Sequence, residues 1–237
     1  MPGRDIGAGD TLVVSEVFGP TWQGEGPSLG RLTAFVRLGR CNLACTWCDT
    51  AYTWDWSRFD PATELEERTV DDVVAQLDEI SAPMVVVSGG EPMLQQRAVI
   101  RLLEQIKERS WRTEVETAGT LAPTPELTAV VDQFNVSPKL ANSGNERDRR
   151  YRPDVLRALQ ATGRAIFKFV VSEALDLDEI DEIVAACELA PVYVMPEGTA
   201  ADVVGERLRA IADPVLARGW NITTRLHIEI WGDRRGV

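Results

Sequence analysis

Short apolar runs alternate with longer amphipathic stretches along most of this chain, and few folds satisfy that order. TAFVRLG (Thr33–Gly39), MVVVS (Met84–Ser88), Thr113–Thr117, Phe134–Ser137, Ile166–Ser172 and Val192–Met195 read as strands. The intervening segments have helical spacing. VDDVVAQLDEI, entered through Thr69 with Asp72 three residues on, predicts a capped helix, and LQQRAVIRLLEQIKER predicts another. A last run, Ile222–Ile230, has strand character and should be the final element of the sheet. Strands that alternate with helices build βαβ units on a parallel sheet with right-handed crossovers. The runs are continuously apolar, as strands covered on both faces must be. Roughly six such units fall short of the eight of a complete barrel. The expected fold is α/β, a partial (βα) barrel with parallel strands, in a single domain over residues 1–237 with 1–10 as a tail.

Charge and composition narrow the chemistry. A formal net charge of −12 argues against a nucleic-acid partner, which would require a basic footprint. No apolar run is long enough to span a membrane, and MPGRDIGAGD lacks the apolar core of a signal peptide, so we read the chain as cytoplasmic. His227 is the only histidine, which removes most histidine-based catalytic schemes and His-rich metal sites.

Three of the four cysteines, Cys41, Cys45 and Cys48, form one C-x-x-x-C-x-x-C run. That spacing is too crowded for a disulfide framework. Three soft thiolates in one loop fit an iron–sulfur cluster that leaves one iron open to a small molecule. The alternatives are structural zinc, with His227 or Cys187 as fourth ligand, or a redox-active pair at Cys45 and Cys48. Cys187 lies in the helical stretch DEIDEIVAACELA and reads as a small core residue.

The irregular motifs share one kind of place. The cysteine loop follows the first predicted strand, and Gly89-Gly90-Glu91-Pro92 follows the second. Glu116–Thr120, Ser137-Pro138-Lys139 and Met195–Gly198 end later ones. In parallel α/β folds the carboxyl ends of the strands open onto one face, where ligands bind.

C-x-x-x-C-x-aromatic-C after one strand with GGEP after the next resembles the radical S-adenosylmethionine superfamily. The resemblance implies an open radical-SAM-type core and a 4Fe–4S cluster whose open iron binds S-adenosyl-L-methionine. One electron from the cluster then cleaves the sulfonium and leaves a 5′-deoxyadenosyl radical. It places Trp47, Cys48, Asp49, Gly89, Gly90, Glu116, Ser137, Pro138 and Lys139 around that cofactor. Gly89 and Gly90 would let backbone approach it closely, Trp47 would lie beside the adenine, and Glu116 would accept from the ribose hydroxyls. The bland alternatives are a loop tryptophan packed on the core, a solvated strand-end carboxylate and simple proline turns.

A narrower resemblance covers nearly the whole chain. EVFGPTWQGEGPSLGRLTAFVRLGRCNLACTWCDTAYTW, with the terminal RLH…WG, is similar to the 7-carboxy-7-deazaguanine synthases. That implies a lyase that takes 6-carboxy-5,6,7,8-tetrahydropterin, abstracts a hydrogen at C6, contracts the ring and releases ammonia. By the same resemblance Trp22, Gln23, Gly24, Glu25, Arg37, Ser88 and His227 meet the pterin, with Arg37 on its carboxylate. Thr50 would hold Mg2+ together with substrate; otherwise it is a cap or turn hydroxyl. Arg37 is otherwise a surface arginine. His227, with a pKa near neutrality, would donate to a ring atom or the carboxylate, or make a dimer contact, and Val237 would lie close by; otherwise both belong to a packed strand with a frayed end. An external electron donor such as a flavodoxin and a homodimeric state are further implications. The rival readings are a glycyl-radical-enzyme activase, which has no use for QGEG with CDT, and an iron–sulfur electron carrier, which has none for the converging strand ends.

Overall fold

The computed structural model describes residues 10–237, so nearly all of the expected N-terminal tail lies outside the described residues. Among the described residues nine strands form one sheet: β1 (Thr11–Trp22), β2 (Leu32–Leu38), β3 (Glu66–Thr69), β4 (Met84–Gly89), β5 (Arg112–Thr117), β6 (Gln133–Val136), β7 (Ala165–Val171), β8 (Val192–Pro196) and β9 (Asn221–Ile222). Their order is β3-β1-β2-β4-β5-β6-β7-β8-β9. From β2 to β9 every neighbouring pair is parallel. β1 runs antiparallel to both β2 and β3. The six predicted strands are all present, and the sheet curls without closing, as a partial barrel.

Among the described residues there are nine α-helices, the first eight between strands and the last after β9: α1 (Pro61–Glu64), α2 (Val70–Ile80), α3 (Gln96–Glu108), α4 (Pro125–Val130), α5 (Arg147–Arg150), α6 (Pro153–Ala161), α7 (Asp176–Cys187), α8 (Ala201–Ala217) and α9 (Leu226–Trp231). Local rules explain the best-defined ones. Thr69 caps α2 by accepting from the Asp72 amide, as its sequence predicts. α3 buries Ala98, Val99, Leu102, Leu103 and Ile106, a helical stripe that packs on the outer face of the sheet. Beneath it Val85, Val87 and Val115 alternate outward, and further round Phe134, Phe167 and Phe169 meet the later helices. Cys187 sits in this outer layer, 2% exposed beside the Tyr151 hydroxyl, as a core residue.

The inward face of the same strands carries different chemistry. Phe18, Phe35, Met84 and Val86 form a small apolar cluster there. Below the site, Ser28 donates to the buried Glu114 at 2.5 Å, and Asn135 donates to it at 2.9 Å. The QGEG segment crosses the open side of the barrel. The Gly26 amide donates to the Thr223 hydroxyl, and the Leu226 amide donates to the Gly24 carbonyl. This segment thereby ties the end of β1 to the end of the chain.

One expectation is corrected. RLHIEIW is not the last strand. The sheet ends with the two-residue β9, and Leu226–Trp231 is the helix α9. The isoleucine alternation suggested a strand, yet positions two apart lie on opposite sides of a helix as well. Ile228 is 3% exposed and Ile230 47%. Trp231 stacks on Trp22 at 5.7 Å, and the Gly24 contact fixes the first turn.

Candidate active site

One cavity opens at the carboxyl ends of the strands and gathers the five predicted strand-end segments. Every residue expected around the cofactor, metal or substrate lines it, with one exception, and Val237 does too. The exception is Pro138, which is buried between the lining residues Ser137 and Lys139.

The three cysteine sulfurs face this cavity, and each receives one N–H. The Leu43 amide donates to Cys41 at 3.5 Å, the Asn145 amide to Cys45 at 3.3 Å and the Trp54 indole to Cys48 at 3.3 Å. Burial pushes the Cys41 thiol up to about 12 and raises Cys45 as well. Metal loading must therefore displace protons. Three soft thiolates facing one cavity, each able to take one iron, are the donor set of an iron–sulfur cluster.

Gly89 and Gly90 serve the packing of the chain more directly than expected. A Cβ on Gly89 would lie 2.1 Å from the Leu38 carbonyl oxygen, and one on Gly90 2.0 Å from that of Arg40. The glycines thus let the turn press against the strand that feeds the cysteine loop. Glu91, fully buried, accepts from the Met93 amide, the Ala118 amide and the Thr117 hydroxyl at 2.8–3.0 Å. It locks the turn to the end of β5. Burial raises its pKa in spite of these donors.

Around the cofactor positions, Trp47 donates its indole N–H to the Asn142 carbonyl and packs under the Lys139 ammonium, 5.7 Å from its ring centre. Lys139 also donates to the Ser137 hydroxyl at 2.8 Å. Glu116 accepts from the Gln23 amide at 3.2 Å, and burial raises its pKa. Ser88 is 2% exposed, and its hydroxyl has no partner, which leaves a polar atom aimed at the space a ligand fills.

Arg37 belongs to a cross-strand pair. Register sets it opposite Glu16, whose carboxylate lies 3.2 Å from Nε. That contact lies off the N–H direction, so Arg37 Nε donates no hydrogen bond. The neighbouring register pairs Arg37 with Ser88 on the same inward face. Two underused polar groups therefore stand side by side. Thr50 precedes the short helical turn Ala51–Thr53, but its hydroxyl caps nothing and sits 3.6 Å from Cys48 Sγ. The capping role is excluded.

A buried charge network forms the far wall. Lys168, inward-facing on β7, donates to Glu25, and Arg225, from the start of α9, donates to Glu25 at 3.2 Å and also to Asp49. Burial works against the charges of Glu25 and Asp49, but Lys168 and Arg225 beside Glu25, and Arg225 beside Asp49, hold both carboxyls below their ordinary values. Burial likewise opposes the Lys168 ammonium, and Glu25 with Glu116 keeps its pKa above the usual lysine range. Lys168 and Arg225 escaped the sequence analysis. Lysine inside the otherwise apolar IFKFVVS was the available signal, because a buried charge demands a partner. His227 lies so close to Gly24 that a Cβ there would be 2.1 Å from Nδ1. Burial lowers its pKa, so the imidazole is neutral and not poised at neutrality.

A family model described as a 4Fe-4S single cluster domain matches residues 22–151. A 7-carboxy-7-deazaguanine synthase of Pyrobaculum aerophilum is 39% identical over 226 residues, covering 94% of this chain and 96% of the relative. The chain belongs to the 7-carboxy-7-deazaguanine synthase family. A member from Rhodopirellula baltica is 30% identical and is matched over 93% of its length by the whole of this chain. The crystal structure of QueE from Escherichia coli has a TM-score of 0.69 at 24% identity, covering 92% of this chain and 95% of that one, which supports the partial barrel. Members of the synthase family are radical S-adenosylmethionine lyases, and the cavity supplies the three thiolates that such chemistry requires.

Proposed function

We propose that this chain converts 6-carboxy-5,6,7,8-tetrahydropterin to 7-carboxy-7-deazaguanine with loss of ammonia, in queuosine-type 7-deazapurine biosynthesis that serves tRNA modification. The observation that carries the reading is one cavity lined by the three cysteines, the strand-end residues and the QGEG–Arg37 set together. When bound, the 4Fe–4S cluster and S-adenosyl-L-methionine supply a 5′-deoxyadenosyl radical. The chain's own residues then have three tasks. Ser137, Lys139, Glu116 and Trp47 hold the cofactor. Gln23, Glu25, Ser88 and His227 orient the pterin, and Arg37 takes its carboxylate through paired hydrogen bonds. The buried network of Glu25, Lys168, Arg225 and Asp49 keeps the wall rigid and excludes water. Anaerobic incubation with S-adenosyl-L-methionine, a strong reductant and the tetrahydropterin, read by mass spectrometry, should yield the ring-contracted acid. Cofactor cleavage without that product would reject the substrate.

Arg37→Ala should weaken substrate binding or turnover by roughly 3 kcal/mol, because the substrate carboxylate would be buried without its partner. Cofactor cleavage in the absence of substrate should persist. An unchanged Michaelis constant and rate would separate Arg37 from the substrate.

Mg2+ enters the same reading at Thr50, whose hydroxyl makes no capping bond. One neutral oxygen is a poor site alone, so the ion binds with substrate oxygens and water. Thr50→Val keeps the shape and removes the oxygen. It should lose most of the Mg2+ stimulation of turnover while keeping its iron; a parent-like response to Mg2+ would assign Thr50 to the turn alone. The reading also includes a homodimer, an external one-electron donor such as a flavodoxin and a cytoplasmic location. Among the described residues no helix is long and apolar enough to cross a membrane.

A further inference from the structure

The cysteine loop is held from outside by two side chains that sequence spacing does not connect to it. Asn145 is 100 residues downstream of Cys45, in the stretch between the Ala141–Ser143 turn and α5. Its amide orientation is settled by its neighbours. The Ala44 backbone N–H donates to Oδ1 at 2.9 Å, so Nδ2 must face Cys45 Sγ, 3.3 Å away. The residue is itself clamped. Arg150, 5% exposed, donates to the Asn145 carbonyl at 3.1 Å and is anchored by Glu179 at 2.6 Å. Trp54 closes the other side, where its indole N–H has Cys48 Sγ as acceptor at 3.3 Å. The third sulfur, Cys41, has only a backbone donor, Leu43.

We infer that Trp54 and Asn145 are positioning residues for the iron–sulfur cluster, whose side-chain N–H groups aim at two of the three thiolate sulfurs and raise its reduction potential. The inference rests on the cluster assigned under the proposed function. Reduction adds negative charge to the thiolate-bound irons, and an N–H dipole pointed at a sulfur stabilises the more negative state. Each donor therefore makes the cluster easier to reduce. The rigid supports matter because a fixed dipole needs no reorganisation when the electron arrives. The two sites are independent, one reached through the Arg150–Glu179 clamp and one through the turn after Thr50, so their effects should add.

The test is a redox titration of the anaerobically reconstituted full chain, followed by electron paramagnetic resonance, with iron content measured in parallel. Trp54→Phe keeps an aromatic ring and deletes the N–H; Asn145→Leu keeps the volume and deletes the amide. Each variant should retain the parent's iron content. At a fixed ambient potential each should show roughly tenfold less reduced cluster, a downward shift of about 59 mV for a one-electron couple, and the double variant should shift further. Parent-like potentials in both iron-loaded variants would overturn the inference, while a parent that loads no cluster would reject the proposed function instead. If a variant loads no iron, the unsubstituted protein decides. With 15N-labelled tryptophan, the reduced cluster should acquire a nitrogen hyperfine coupling of an indole within contact of a sulfur, and its absence would also overturn the inference.

Discussion

Alanine at Cys41, Cys45 or Cys48 should abolish the cluster and, with it, all cleavage of S-adenosyl-L-methionine. Each thiolate would hold a different iron of the cluster, so no neighbour could take over the lost bond. The only other thiol, Cys187, lies in the outer helical layer against Tyr151, outside the cavity. The parent, reconstituted anaerobically, should carry about four irons per chain and a broad visible absorption that dithionite bleaches. The three single variants should lose both. Cys187→Ala should keep iron and cleavage and cost only some core stability, about 1–2 kcal/mol. Stoichiometric zinc in place of iron after anaerobic purification, or full iron in any of the three variants, would refute the cluster.

Arg225→Met should give the largest loss among residues that touch neither the cysteines nor their hydrogen-bond donors. The guanidinium is 7% exposed and serves three acceptors, Glu25, Asp49 and the Gly198 carbonyl at 2.6 Å. Methionine fills similar volume but leaves Glu25 to Lys168 alone and Asp49 without its partner. Breaking a buried ion pair by removing one member costs about 3–5 kcal/mol. Asp49 is 36% exposed, and water recovers part of that loss, so the lower end applies. A fall of about 3 kcal/mol corresponds to roughly 6–12 °C in melting temperature for a chain of this size. Turnover should fall as well, because the Arg225–Glu25 contact helps hold the start of α9 to the QGEG segment. Calorimetry of the iron-loaded protein checks the first effect. A melting point within about a degree of the parent would show that the network is dispensable for the fold.

Much of the site was legible because its signals are local. Three thiolates within eight residues, a glycine pair after a strand and a carboxylate at the next strand end are each recognisable without knowing what packs against them. Strand polarity converts these separate motifs into one cavity, since parallel strands present all their carboxyl ends on one side. Arg37 was legible for a related reason. Its flanks are apolar, so burial and the need for a partner follow from sequence. The neutral His227, the role of Glu91 and the wall built on Lys168 and Arg225 were not legible. Apart from the Met93 amide on Glu91, their partners lie 26 or more residues away, and pairings at that distance leave no periodic trace.

By itself the sequence determined the class of fold, the thiolate loop and the list of residues that meet at the strand ends. These depend on hydrophobic period, on turn chemistry and on the softness of sulfur, all of which act over a few residues. The tertiary structure decided which face each strand residue occupies and how the barrel is finished. β1 pairs along the edge of β2, which puts Glu16 opposite Arg37. The final RLHIEIW folds as a helix because the Gly24 carbonyl and the Trp22 ring capture its two ends. Lys168 turns inward because two-residue alternation along β7 leaves it on the same face as Ile166 and Val170, while Phe167 and Phe169 fill the outer core. Each outcome is a choice between local structures of similar energy, and contacts from distant parts of the chain supply the few kcal/mol that settle it.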